Sequence, residues 1–101
     1  MTKYQLKFSP NARQDLNDIY EYALDSLGEY WADIILKRIL QDIYKLNIFP
    51  TGYSKILEIP NLRKKKSKKY IIIFKINEKD KIVTIVDVFY SGRNYLPLIG
   101  N

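Results

Sequence analysis

Apolar residues recur along this chain first on a period of two, then on three to four, then on two again. "YQLKF" sets Tyr4, Leu6 and Phe8 against polar neighbours, the alternation of a half-buried strand. Ser9 then offers a helix N-cap, and Pro10 occupies the favoured first helical position. From there Ala12, Leu16, Ile19, Tyr20, Ala23 and Leu27 form one apolar stripe, with Asp15, Asp18, Glu21 and Asp25 off it. Gly28 stops this helix. A second helix is expected from about Glu29 to Leu46, with Ala32, Ile35, Ile39, Ile43 and Leu46 as its inner stripe. Trp31, Leu36 and Leu40 widen that stripe. A break as short as Gly28 makes the two helices an antiparallel hairpin, and "FPTGYS" ends it.

The second half reads as strands. "ILEIP" suggests a short strand before Pro60. "KYIIIFKIN" and "IVTIVDVFY", joined by "EKDK", suggest a β-hairpin. Tyr70 to Phe74 and Ile82 to Val86 are apolar on both faces, so these strands are expected at the centre of a sheet, covered on each side. The helical hairpin covers one side. The other calls for the tail "SGRNYLPLI" or a partner chain. The expected fold class is α+β: an N-terminal strand, an antiparallel two-helix hairpin packed on a small, mainly antiparallel sheet, and a short C-terminal tail. Residues 1–101 read as one domain, since 101 residues supply a single modest core.

Charge changes this picture. The net charge is +6, but it is unevenly placed. Residues 1–54 hold 6 basic and 7 acidic residues, whereas residues 55–101 hold 11 basic and 4 acidic. Most of the excess sits in "RKKKSKK", directly before the most apolar strand. Such a run either guards a sticky strand against aggregation or carries charge to a polyanion. Nucleic acid, an acidic protein and an anionic lipid surface all fit a basic balance. The chain has no cysteine, which excludes disulfides and thiolate metal sites. It has no histidine either, so acid–base chemistry would fall to Tyr, Lys, Arg or a carboxylate. No metal site or cofactor is expected. The N-terminus lacks an apolar signal region, and no apolar run is long enough to span a bilayer, so a cytoplasmic protein with no membrane association is expected.

Three stretches, in this order, resemble the RelE/ParE superfamily of type II toxin–antitoxin toxins. "SPNARQDLNDIYEYALDSLGEYWADIILKRILQDIYKLNIFPTGYS" is similar to the family's helical hairpin. "LRKKKSKKYIIIFKINEKDKIVTIVDVFY" is similar to its central strand pair, with an Arg ahead of a Lys-Tyr-apolar strand. "VFYSGRNYLPLI" is similar to its closing segment. The resemblance implies a toxin neutralised by a cognate acidic antitoxin. It leaves the target divided, because ParE-like members inhibit DNA gyrase and RelE-like members cleave mRNA on the ribosome. The long hairpin favours the ParE-like side. So does Ile71, which stands where RelE-like nucleases place a catalytic Arg just after the strand's Tyr. A nontoxic nucleic-acid-binding module is a third reading of the same basic sheet.

If the chain is a nuclease, the resemblance and the residue chemistry together nominate a site. Arg63 and Arg93 match the family's arginines and could stabilise charge on a phosphate. Tyr90 stands where many relatives carry His, and Tyr95 lies two residues past Arg93, so either could serve as base. Lys64, Lys65, Lys66, Lys68 and Lys69 would supply a diffuse binding field with Arg93. On a strand these lysines alternate faces, so only some could reach one ligand.

Overall fold

A computed structural model describes residues 3–92. The elements run β1 (Gln5–Phe8), α1 (Pro10–Leu27), α2 (Glu29–Tyr44), two short 3₁₀ turns (Lys45–Asn47 and Pro50–Gly52), β2 (Lys55–Ile56), β3 (Ile59–Ser67), β4 (Tyr70–Asn77) and β5 (Ile82–Tyr90). The five strands form one mixed sheet in the order β1-β5-β4-β3-β2. β1 lies parallel to β5, and the other pairs are antiparallel. The expected α+β architecture is therefore observed, with α1 and α2 as a hairpin over one face.

Local chemistry explains the helix ends. The Ser9 hydroxyl accepts from the Ala12 N–H at 3.0 Å, and Pro10 opens the helix. Gly28 stops it with φ 90°, a left-handed backbone that suits glycine, and its N–H donates to the Leu24 carbonyl. α2 ends two residues before the expected Leu46, which instead sits fully buried in a 3₁₀ turn.

Both sheet faces are apolar, as the doubly apolar strands require. Ile72, Phe74, Val83, Ile85 and Val88 pack with Ala12, Ile39, Ile43 and Leu46 under the helices. Ile56, Leu62, Ile73 and Phe89 form a smaller cluster on the second face, joined by Ile59, Ile71 and Val86. The tail expected to cover that face starts at Ser91, and from residue 93 onward it lies outside the described residues.

One irregularity ties the layers together. Ile73 pairs with Asp87 and Phe74 with Ile85, so Val86 is an extra residue in β5. The bulge frees backbone groups that α1 then satisfies. The Ser9 hydroxyl donates to the Val86 carbonyl at 2.6 Å, and Asp15 accepts from the Val88 N–H at 2.9 Å. Asp15, expected only as an outer helix acid, is thus a sheet anchor.

Two expectations are corrected by the shape of the hairpin. Leu27 and Trp31, assigned to the inner stripes, are 57% and 53% exposed. They sit where the helices meet at Gly28, beyond the cover of the sheet. A third correction concerns "ILEIP", which is not one strand: a turn at Leu57–Glu58 divides it between β2 and β3, and β3 runs on to carry the basic residues as far as Ser67. No described helix is long and apolar enough to cross a membrane.

Candidate functional site

The cationic run spans β3 and its turn into β4, and pairing with β4 fixes which way each residue faces. Arg63 pairs with Phe74, Lys65 with Ile72 and Ser67 with Tyr70, so these three share the helix face. Lys64 pairs with Ile73 and Lys66 with Ile71, which sets both on the second face, where they are exposed. Lys68 adopts φ 55° in the turn, and the Lys69 carbonyl accepts from the Ser91 N–H at 2.7 Å.

Arg63 and Lys65 hold the segment that follows the helical hairpin, at the Pro50–Gly52 turn, against the sheet. One guanidinium nitrogen of Arg63, Nη1, donates to the Tyr53 carbonyl at 2.7 Å and to the Thr51 carbonyl at 3.2 Å. Lys65 Nζ donates to the Tyr53 hydroxyl at 3.1 Å and lies 4.5 Å from the centre of the same ring. That ring meets Phe74 edge-on at 6.2 Å. These two cations therefore have local partners, while Lys64, Lys66, Lys68 and Lys69 project into solvent.

Tyr90 stands at the same end. It pairs with Tyr70, and their rings meet edge-on at 6.0 Å. The Tyr90 ring also lies across Gly92, where a Cβ would fall 2.5 Å from Tyr90 Cε2. Burial, then the neighbouring Tyr90 and Tyr22, push the Tyr70 phenol up, so it stays protonated at neutral pH. Arg93 and Tyr95 lie outside the described residues. Ile71 is half buried and packs into the second-face cluster. Among the described residues no group of His, Cys, Asp or Glu is arranged to hold a metal ion.

Three residues at this site escaped the sequence reading: Tyr53, Asp42 and Ser67. Tyr53 sits in "FPTGYS", whose proline and glycine signal only a chain break. The buried Ser67 hydroxyl donates to Asp42 at 2.5 Å, across 25 residues of sequence. Burial pushes the Asp42 carboxyl up, but Ser67, Lys45 at 3.4 Å and the charge of Lys65 outweigh it. Its pKa is therefore lowered on folding. A depressed carboxylate contributes stability above its unfolded value, and that contribution is lost as pH falls through the folded value. Asp42→Asn is expected to be less stable than the parent at pH 7. The gap should close as pH falls below the ordinary carboxylate value of 3.8. Urea midpoints of both proteins across this range check the prediction; a gap that does not change with pH would contradict it.

The described residues thus form a helical hairpin on a mixed sheet, with a cationic β-hairpin at its end. Residues 6–95 match the family model described as ParE toxin of type II toxin-antitoxin system, parDE, and the chain belongs to that family. Solved structures share the fold. A chain of the chromosomal ParDE toxin–antitoxin system from P. aeruginosa superposes with TM-score 0.77 at 19% identity, covering 86% of this chain and 95% of that one. A chain of the RelBE2 toxin–antitoxin complex from Mycobacterium tuberculosis gives 0.70 at 17%, covering 88% and 99%. A mutant of the E. coli toxin RelE in the free state gives 0.68 at 14%, covering 97% and 94%. No functionally curated protein matches the chain.

Proposed function

We propose that this toxin arrests growth by inhibiting DNA gyrase without cleaving RNA, and that a cognate acidic antitoxin neutralises it. The observation that carries the reading is Ile71. At the strand position where RelE-like nucleases place an arginine, this chain has an aliphatic side chain packed among Ile56, Leu62, Ile73 and Phe89. An alkyl group there supplies no donor to a scissile phosphate. Lys64 and Lys66 flank that apolar cluster, a combination suited to an acidic antitoxin that folds as it binds.

The alternative, ribosome-dependent mRNA cleavage, draws support from the exposed Tyr90 beside the Lys68–Lys69 turn. In that reading Tyr90 or Tyr95 would take the 2′-hydroxyl proton and Arg93 would stabilise the phosphate charge, while Arg63, bonded to the Thr51 and Tyr53 carbonyls, stands opposite Phe74, four residues along β4 from the Tyr70–Tyr90 pair. Arg93→Ala would then cost about 3–4 kcal/mol in the chemical step.

Induced expression, with plasmid supercoiling and mRNA 5′ ends followed together, separates the two. The gyrase reading expects growth arrest and lost supercoiling with no new 5′ ends, and rescue by the antitoxin. Fresh 5′ ends within translated messages, with supercoiling intact, would establish the alternative.

A further inference from the structure

The tip of the helical hairpin is apolar and uncovered, with Tyr22, Leu27, Tyr30 and Trp31 more than half exposed. The Tyr30 and Trp31 rings meet edge-on at 5.3 Å, forming one aromatic ridge. Around the ridge, residues 14–36 contain six acidic residues and no basic one. Asp18, Glu21, Asp25, Glu29 and Asp33 of these are exposed.

The cationic turn lies at the same end of the molecule. α1 runs alongside β5 towards Tyr90, from Ser9 at the Val86 carbonyl to Asp15 at the Val88 N–H. Tyr90 in turn meets Tyr70, and Ser91 is bonded to Lys69. The helix continues from Asp15 to Leu27, about 18 Å, whereas β5 ends two residues beyond Val88. One end therefore presents an acidic, aromatic helical tip next to an exposed lysine turn.

From this juxtaposition we infer that the free toxin binds a second copy of itself end to end about a two-fold axis, the helical tip of each copy on the Lys68–Lys69 turn of the other. A two-fold contact must be self-complementary, and an end that carries both signs of charge meets that condition twice. The aromatic ridge supplies the apolar area, and the charges fix the register. A stable interface needs about 800 Å² from each copy, a modest share of the 6675 Å² surface. The acidic antitoxin proposed above is a poor occupant, because it shares the tip's sign of charge; it suits the second face instead.

Sedimentation velocity of the full chain tests this with charge exchange. One variant carries Asp25→Lys, Glu29→Lys and Asp33→Lys; the other carries Lys68→Glu and Lys69→Glu. The parent is expected to be a dimer near 0.1 M salt, where the Debye length is about 10 Å, and to dissociate towards 1 M, where it is about 3 Å. Each variant alone opposes like charges and should self-associate about 100-fold more weakly. Mixed in equal amounts, the two should form a dimer again, because each tip then meets a turn of opposite charge. Recovery in the mixture also shows that both variants are folded. A parent that stays monomeric throughout, or a mixture that stays monomeric, overturns the inference.

Discussion

Phe74→Ala is expected to destabilise the fold by about 3–5 kcal/mol, as large-to-small changes in packed cores do. Phe74 is fully buried under the helices and carries the edge contact with Tyr53. Tyr53 is also the acceptor for Lys65 and, through its carbonyl, for Arg63. Truncating the ring opens a cavity and removes the surface on which the turn after the helical hairpin rests. Domains of this size are stable by roughly 5–15 kcal/mol, so the variant sits near the limit of folding. Urea unfolding measures the effect. Leu57→Ala is the matched control, because Leu57 is 89% exposed and its loss should stay within about 0.5 kcal/mol. A cost for Phe74→Ala below about 1 kcal/mol would show that the ring is not the centre of the core.

The second large effect is expected at the lysines of the second face. Reversing Lys64 and Lys66 to glutamate should slow association with an anionic target or antitoxin by about 10- to 1,000-fold. Both residues are exposed, so the fold should be unaffected. Lys65→Glu should behave differently, because Lys65 faces Tyr53 and acts on Asp42. A carboxylate there loses the cation–π contact with the Tyr53 ring and adds a like charge near Asp42, so stability falls along with function. Growth inhibition, antitoxin co-purification and urea midpoints, measured on all three proteins, distinguish the two faces. Full toxicity and antitoxin binding in the Lys64/Lys66 reversal would reduce these lysines to guards of the strand. That role also fits their place: β2 pairs with β3 only through Lys55 and Ile56, which leaves much of the edge uncovered.

Hydrophobic periodicity made most of the fold legible. The helical stripes, the Ser9 cap, the Gly28 stop and the doubly apolar central strands follow from residue spacing and local chemistry. β3 was obscured because only Leu62 and Ser67 along it are buried, and Ser67 is polar. Its strand character comes from pairing with β4, which no local pattern in "LRKKKS" reports. The contacts that organise the candidate site were hidden for a related reason. Ser67–Asp42 and Lys65–Tyr53 join residues far apart in sequence, and the bulge that exposes the Val88 N–H to Asp15 has no composition signature. The split of the lysines between two faces required the register, since a shift by one residue would exchange them. Arg93 was legible as a lone cation in the closing segment, but its surroundings are not among the described residues.

Purified gyrase offers the most direct measurement of the proposed activity. Added to gyrase, ATP and relaxed plasmid, the toxin is expected to block supercoiling in proportion to its concentration. Prior mixing with the antitoxin should restore supercoiling, and the Lys64/Lys66 reversal should inhibit far less than the parent. Undiminished supercoiling at toxin concentrations well above those of gyrase, with the toxin shown to be folded and to bind its antitoxin, would contradict the account.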